Sequence, residues 1–224
     1  MTTLYLVRHG QASFAAENYD NLSELGHRQA AWLGEHFAAR GIVFSRAVCG
    51  SLDRQRQTAR TLLDAMGSSQ PVIEHPGWNE YSGDALFKAY HGDGWAKARA
   101  EGDVREFYRT IKLALLDWSE EKLAGDLPET WRAFGERTAA AMHAACDALP
   151  PGASVLAASS GGAISRAVNT LLGAPARTAI ELNLQFRNSA FCEIFVSPRS
   201  MRLVSFNCIP HLDRPDRAEG ITYS

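Results

Sequence analysis

The sequence predicts an α/β fold, a three-layer sandwich in which a mostly parallel central sheet is flanked by helices and carries a helical insertion. Two patterns support this prediction. Short apolar runs, of the kind that form buried strands, alternate with longer segments whose apolar residues recur at helical spacing. Such alternation builds a parallel sheet that is covered on both faces. The last two apolar runs follow each other without a helix, which favours an antiparallel hairpin at one edge.

The elements of the first half are bounded by clear breaks. Residues 4–7 are apolar strand formers that stop at Arg8, which is typical of a buried parallel strand. Ser23 is a suitable N-cap for a first helix, and Gly41 is a suitable end for it. Beyond this helix we predict a strand over 42–49, a helix over 55–66 and a short strand over 71–73.

The second half begins with a segment of different character. Residues 81–127 are polar, are broken by glycines and contain one predicted helix, roughly 104–123. We interpret this segment as a helical insertion within a single domain that spans residues 1–224. The alternation then resumes, and the remaining predicted elements are a helix over 130–149, a strand over 154–158, a helix over 163–172, and strands over 190–196 and 201–206.

Charge, cysteine and histidine content narrow the functional classes. The 224 residues include 23 basic and 25 acidic ones, so no surplus of positive charge favours nucleic acid or a membrane surface as a partner. The four cysteines form no CxxC pair and lie in apolar stretches, which predicts buried free thiols in a reducing compartment. The histidines show no metal-ligand spacing. With no signal peptide at the N-terminus and no long apolar run, we expect a cytoplasmic protein.

Three predicted strand ends carry reactive or anion-binding groups. The first strand ends in RHG at residues 8–10, the second leads to Arg54, and the fourth ends in SSGG at residues 159–162, before a helix. In open α/β sheets, ligands bind beyond the carboxyl ends of the strands. Two arginines, a histidine and a helix N-terminus on one crevice would bind a dianion, most commonly a phosphoryl group.

Motifs at these positions resemble those of the histidine phosphatase superfamily, which includes the cofactor-dependent phosphoglycerate mutases. One RHG tripeptide is weak evidence, but four motifs in the family's order are strong. The matching segments are LVRHGQ at 6–11, LSELGHRQA at 22–30, RQRQTA at 54–59 and WNEY at 78–81, followed by SSGG at 159–162, where the family usually has a second histidine before two glycines.

The resemblance implies a reaction through a phosphohistidine intermediate. His9 would attack phosphorus, which a neutral imidazole is able to do near pH 7. Arg8 and Arg54 would hold the non-bridging oxygens, because guanidinium donors match phosphate geometry and do not deprotonate. Glu80 would protonate the leaving oxygen as general acid, which requires a pKa well above that of a solvated glutamate. Water would then release phosphate, and no metal or other cofactor is implied.

The chain departs from the family pattern at Ser160, which stands where the second histidine is expected. In the family that histidine donates a hydrogen bond to the transferring phosphoryl group, and loss of such a donor costs on the order of 10²–10³ in rate. Two features would offset the loss. The Ser160 hydroxyl can itself donate, and Ser159 or Ser160 occupies an N-cap position before Gly161 and Gly162, whose amides would face the anion. Ser160 and Gly161 are therefore predicted to bind phosphate.

The other histidines are weaker candidates, and a structural role is the alternative for each. His75 lies in a loop near Glu80, where a substrate would be within reach. His211 follows a late strand and is one candidate to replace the missing histidine. His27 and His36 are predicted to lie on the first helix, solvent-facing or partly buried.

Three functions remain open on these grounds. The main hypothesis is a phosphomonoester hydrolase that acts on a small phosphorylated substrate through His9. The alternatives are a phosphoglycerate-mutase-like phosphotransferase, whose phosphohistidine survives until a second hydroxyl arrives, and a degenerate family member that binds phosphorylated ligands with little turnover. Ser160 favours the degenerate member, whereas the retained His9, Arg8, Arg54 and Glu80 oppose it. No motif indicates the identity of the substrate or the oligomeric state.

Overall fold

A six-stranded sheet forms the centre of the computed structural model, which describes residues 1–13, 20–92, 104–123 and 125–223. The strands, in sheet order, are β3 (Val72–Glu74), β2 (Phe44–Cys49), β4 (Ser154–Ser159), β1 (Thr2–Arg8), β5 (Phe191–Ser197) and β6 (Ser200–Cys208). The first four run parallel, and β5 and β6 add an antiparallel hairpin at one edge. The predicted α/β fold with a mostly parallel sheet is confirmed, as is the edge hairpin.

Helices flank this sheet. In the part of the chain that the structure describes they are α1 (Glu24–Ala39), α2 (Asp53–Ala65), α3 (Gly83–His91), α4 (Val104–Ser119), α5 (Trp131–Cys146), α6 (Gly161–Leu172) and α7 (Ala176–Leu184). Short 3₁₀ turns span Pro76–Trp78 and Pro215–Gly220. The predicted caps are confirmed at α1, where the Ser23 side chain accepts a hydrogen bond from the Gly26 amide and Gly41 follows with a φ of 67°.

Two of these helices differ from the sequence prediction. Residues 81–127 were expected to hold one helix, but α3 lies there as well; it is capped by Ser82 and ends at Gly92, whose φ is 63°. Only nine residues long, α3 shows too little periodicity to stand out among the surrounding glycines. Helix α7 was not predicted because only Ala179 and Ile180 on it are buried. Residues 93–103 and 124 of the predicted insertion lie outside the described residues.

Alternate side chains of β1 supply the two main cores, one on each face of the sheet. Leu4 and Leu6 pack with residues of α5 and α6, whereas Tyr5 and Val7 pack with residues of α1 and α2. A third cluster joins α4 and α5 to the segment before α3 and is largely aromatic; it contains Trp118 and Phe134, with Tyr81 and Trp131 against them. This third cluster supports the loop that carries Glu80.

The cysteines are free thiols, two of them buried and two half-buried. Burial raises the pKa of Cys49 to about 12 and that of Cys146 to about 11, so both stay protonated and unreactive near neutral pH. Within the described ranges, no helix is long and apolar enough to cross a membrane.

Candidate active site

The carboxyl ends of β1 and β4 lie side by side at one edge of the sheet. Arg8 is paired with Ser159 in the parallel register, and the His9 amide donates to the Ser159 carbonyl over 2.8 Å. The turn after β2 joins the same edge, because the Gly50 amide donates to the Ala158 carbonyl over 3.2 Å. The predicted strand-end residues are thus brought together by main-chain hydrogen bonds. We call Arg8, His9, Arg54, Ser160 and Gly161 the cradle.

The hydrogen bonds of His9 define its tautomer. Its Nδ1 lies 2.7 Å from the Gly10 carbonyl, which can only accept, so Nδ1 carries the proton. Its Nε2 lies 3.2 Å from Nε of Arg54, which can only donate, so Nε2 presents a lone pair. Both contacts fit one neutral imidazole with Nε2 as its nucleophilic nitrogen.

Electrostatics favour the same neutral form. His9 is 7% exposed, and burial lowers its pKa well below the usual value, with Arg54 and Arg8 adding to the effect because two cations repel a third. Near pH 7 the imidazole is therefore neutral without the help of a neighbouring base. The arrangement meets the requirement for a histidine nucleophile set out from the sequence.

Arg54 reaches the cradle from the first turn of α2 and is held by a residue that sequence analysis did not identify. Its Nη1 lies 2.5 Å from Oδ1 of Asp20, and Oδ2 of Asp20 accepts from the Asp53 amide over 2.8 Å. One carboxylate therefore fixes the arginine and satisfies an amide in the first turn of the helix. Asp20 lies in no motif, so no sequence pattern indicates this contact.

Arg8 is nearly buried, and its guanidinium contacts main-chain carbonyls of the later chain. Nη1 donates to the Phe186 carbonyl and, over 2.8 Å, to the Tyr223 carbonyl. Gly161 lies against the same side chain, since a Cβ at Gly161 would stand 3.4 Å from Nε of Arg8 and 2.7 Å from Oδ1 of Asn183. A side chain at Gly161 would be too close to Asn183, so glycine lets the N-terminus of α6 pack against Asn183 beside the guanidinium.

Glu80 is half-buried at the N-terminus of α6. Oε2 accepts from the Gly162 amide over 2.8 Å, and Oε1 accepts from the Tyr81 amide over 3.1 Å. Burial raises the pKa of Glu80, whereas the Gly162 hydrogen bond and the nearby Arg54 lower it; burial dominates. The direction is the one that a general acid needs. The Gly162 amide was predicted to face the anion, but it is occupied by Glu80.

Arg137 of α5 stabilises the loop before Glu80. Like Asp20, it lies outside the motifs. Nη1 of Arg137 donates to the carbonyls of Gly77, over 3.0 Å, and Asn79, over 2.8 Å. Its Nε and Nη2 form a two-pronged ion pair with Glu129, each at 2.7 Å, and its guanidinium carbon lies 4.7 Å from the ring centre of Phe134. We call residues 76–82 the acid loop.

Ser160 is buried beside this loop, with 1% of its surface exposed. It occupies the N-cap position of α6, but its side chain makes no capping hydrogen bond, contrary to the expectation from sequence. Instead its Oγ lies 2.8 Å from Nε2 of Gln55. Gln55, fully buried on α2, was not singled out from the sequence, although it directly follows Arg54.

The other histidines have local structural contacts. Nδ1 of His75 accepts from the Gly77 amide and so caps the 3₁₀ turn in the acid loop. His211 is buried, and its Nε2 lies 2.7 Å from Oγ of Ser189, whose amide donates to the His9 carbonyl over 3.2 Å. Burial, with His36 and Arg217 nearby, lowers the pKa of His211 to about 3. His211 thus supports the main chain of His9 indirectly, through Ser189.

The sheet, the cradle and the acid loop define a known class of protein. The chain belongs to the histidine phosphatase superfamily (branch 1), whose family pattern matches residues 4–209. The probable phosphoglycerate mutase GpmB of Enterobacter sp. (strain 638) is 31% identical over 202 residues, which cover 87% of this chain and 85% of that protein.

Two further relatives broaden the comparison. A 2,3-bisphosphoglycerate-dependent phosphoglycerate mutase of Bartonella quintana (strain Toulouse) is 35% identical over 85 residues, covering 35% of this chain and 41% of that enzyme. The crystal structure of phosphoserine phosphatase from Entamoeba histolytica in complex with 3-phosphoglyceric acid matches with a TM-score of 0.67 at 19% identity, over 95% of this chain and 100% of that one. At this identity the match shows a shared fold. The proteins of similar sequence are thus described as mutases, and the protein of similar fold as a phosphatase.

Proposed function

We propose that this chain is a phosphomonoester hydrolase that acts through a phosphohistidine at Nε2 of His9. The observation that supports this most strongly is the tautomer of His9. A buried imidazole whose Nδ1 proton is fixed by Gly10 presents the Nε2 lone pair beside Arg54. Neither a metal nor another cofactor is required for attack on phosphorus by such a nitrogen.

In the first step the His9 lone pair forms the N–P bond while the P–O bond to the leaving group breaks. The proton of neutral Glu80 goes to the leaving oxygen, which departs as an alcohol. Arg8 and Arg54 offset the charge on the non-bridging oxygens, with the Gly161 amide at the N-terminus of α6 as a further donor. The Arg54–His9 contact is then replaced by an Arg54–phosphoryl contact.

In the second step water attacks the phosphohistidine. The Glu80 carboxylate takes a proton from that water, the N–P bond breaks, and its electron pair returns to Nε2. Inorganic phosphate leaves, and both His9 and Glu80 regain their starting protonation. The bound phosphate dianion adds negative charge near Glu80 and keeps its pKa raised during the first step.

The test is hydrolysis of 4-nitrophenyl phosphate by the wild-type chain, by His9→Ala and by His27→Ala as a matched control. His27 is an exposed histidine on α1. We expect clear turnover by the wild type and by His27→Ala and none by His9→Ala. Quenching with alkaline denaturant during turnover should trap one phosphoryl group on His9, located by peptide mass spectrometry, because the N–P bond is stable in alkali and is hydrolysed in acid. Turnover that survives in His9→Ala would contradict the proposal.

The second candidate function is phosphoryl transfer between hydroxyls of phosphoglycerate, and the 31% identity to a probable phosphoglycerate mutase over most of both chains favours it. The two functions share the first step and differ in what attacks the phosphohistidine. Incubation with 3-phosphoglycerate and catalytic 2,3-bisphosphoglycerate distinguishes them. If 2-phosphoglycerate forms faster than inorganic phosphate, the chain is a phosphotransferase and the proposal of a hydrolase is wrong. If neither product forms while phosphate still raises the melting temperature, the chain binds its ligand without turnover.

A further inference from the structure

Gln55 and Ser160 form a buried pair between the two halves of the site. Gln55 directly follows Arg54 on α2, and Ser160 directly follows Ser159, whose carbonyl accepts the His9 amide proton. Both side chains are almost completely buried, at 0% and 1% exposure. The geometry of their contact is therefore determined by the protein interior and not by water or a flexible surface side chain.

The direction of the hydrogen bond between them follows from a third group, the Trp78 carbonyl. Nε2 of Gln55 lies 3.1 Å from this oxygen, which can only accept, and 2.8 Å from Oγ of Ser160. The reversed amide would set two acceptors, Oε1 and the Trp78 oxygen, against each other. The amide nitrogen therefore uses one proton for Trp78 and the other for Ser160, and Oγ of Ser160 is an acceptor.

The Ser160 hydroxyl proton consequently has no acceptor among the described residues. This side chain makes no capping bond to α6, and in the described part of the chain Gln55 is its only hydrogen-bond partner. Oγ of Ser159, by contrast, donates to the Trp78 carbonyl over 2.6 Å. A buried hydroxyl that leaves its donor unused is unfavourable, so a ligand oxygen that accepts this proton would be bound more tightly.

We propose that Gln55 is a positioning residue that fixes the Ser160 hydroxyl as a donor to the transferring phosphoryl group. This inference rests on the proposed function. Ser160 stands in the chain between Ser159, which bonds to the amide of His9, and Gly162, whose amide holds Glu80. The segment that carries Ser160 therefore contacts both the proposed nucleophile and the proposed acid, and the acceptor that we expect for the hydroxyl is a phosphoryl oxygen. The pair supplies a donor at the position where the second histidine is expected.

The role of Gln55 is to keep this proton directed at the ligand. With its amide in place, an acceptor site on Ser160 and one on the Trp78 carbonyl are both filled. Without it, the hydroxyl is free to rotate toward neighbouring main-chain acceptors, and the phosphoryl group loses its donor although Ser160 is still present. Removal of either residue should therefore have the same catalytic consequence.

The test is a double-mutant cycle of Ser160→Ala and Gln55→Met, with kcat and the inhibition constant of orthovanadate as readouts. Each single variant should lower kcat and weaken vanadate inhibition by roughly 10-fold to 100-fold. Gln55→Met should cost nothing further in the Ser160→Ala background, because its effect passes through the hydroxyl. Melting temperatures separate these losses from unfolding.

Ser165→Ala is the matched control. Ser165 is a fully buried serine on α6, one turn beyond Ser160, and its hydroxyl has no partner in the described chain. Ser165→Ala should leave kcat and the inhibition constant of orthovanadate unchanged. A loss in Gln55→Met that is equally large in the Ser160→Ala background would overturn the positioning role, because Gln55 would then act on packing alone.

Failure of the inference is distinguishable from failure of the proposed function. If the wild type is active, His9→Ala is inactive and Ser160→Ala matches the wild type, the function stands and the inference is wrong. If the wild type is inert, the function fails, and the pair is tested by calorimetric titration with orthovanadate. In that case we expect Ser160→Ala and Gln55→Met to weaken vanadate binding equally. Unchanged vanadate affinity in either variant would show that the inference is wrong as well.

Discussion

The cradle and the acid loop are held in place in different ways. In the cradle, main-chain bonds of the sheet fix the position of His9: Arg8 is in register with Ser159, and the His9 amide donates to the Ser159 carbonyl. The acid loop has a short 3₁₀ turn, and side chains from far along the sequence hold it. Arg137 reaches two of its carbonyls from α5, about 60 residues later.

Because the two regions are held differently, we expect phosphate binding and turnover to respond differently to substitutions. Main-chain hydrogen bonds in a sheet persist when a side chain is replaced, so the backbone around Arg8 and His9 should keep its shape through most single substitutions. The acid loop depends on a few side-chain contacts, and each of them is removable. We therefore expect changes on the acid side to reduce proton transfer while phosphate binding survives, and changes in the cradle to reduce both.

The largest effect should come from Arg54→Met in the cradle. The substitution removes the donor beside Nε2 of His9 and leaves Asp20 without its cation. We expect kcat/KM to fall about thousandfold, since a guanidinium on a transferring phosphoryl group contributes on this scale. Phosphate affinity, measured by calorimetry, should fall with it. Arg56→Met, two residues away and paired only with exposed carboxylates in the described chain, should stay near wild type; equal losses would remove Arg54 from the cradle.

Glu80→Gln should come next and should depend on the leaving group. We expect about a hundredfold loss of kcat/KM with an alkyl phosphate and about tenfold with 4-nitrophenyl phosphate, because nitrophenolate needs less protonation. Phosphate affinity should be nearly unchanged. Glu74→Gln, an exposed carboxylate at the end of β3, is the matched control. Identical losses with both substrates would argue against an acid role.

The pH profile follows from the same two residues. The wild-type rate should fall as pH rises through the raised pKa of Glu80, because the acid loses its proton. It should also fall at low pH, as the lowered pKa of His9 is approached and the nucleophile becomes protonated. The optimum therefore lies between the lowered pKa of His9 and the raised pKa of Glu80. Glu80→Gln should lose the alkaline fall, apart from the ionisation of the substrate itself.

Arg137→Met should have a smaller effect and is the sharpest test of the comparison. It removes both carbonyl contacts to the acid loop and the partner of Glu129. We expect kcat to fall about tenfold and the free energy of unfolding by about 1–3 kcal/mol, with phosphate affinity unchanged. Arg132→Met on the same helix is the control, because Arg132 is 82% exposed. A parallel loss of phosphate affinity would show that the two regions are not independent.

The last prediction concerns stability behind the cradle and leaves activity unchanged near neutral pH. His211 has a pKa of about 3 in the folded chain against about 6.5 unfolded, so below pH 6.5 the unfolded chain binds more protons. The free energy of unfolding should therefore fall by about 1.4 kcal/mol per pH unit for this group as pH drops toward 3. Urea unfolding at pH 7, 6, 5 and 4 measures this slope. His211→Gln does not titrate, and an equally steep slope in that variant would rule out the assignment.

The parts of the site that could be predicted from sequence are those that follow from strand ends. Arg8 and His9 end one strand and Ser160 follows another, and parallel strands bring their carboxyl ends to one edge. Asp20, Gln55 and Arg137 were not predicted, since each contacts the site through a side chain whose direction depends on tertiary packing. Helix α3 was likewise hidden, because nine residues between glycines carry little periodicity.

The sequence by itself determined the class of fold and the set of reactive groups, because hydrophobic alternation and strand-end position are local properties. Only the tertiary structure decided how those groups are used. The tautomer of His9 depends on Gly10 and Arg54 together, and the free proton of Ser160 depends on Gln55 and the Trp78 carbonyl. A hydrogen bond acquires its direction from every partner around it, and these partners meet only after the chain has folded.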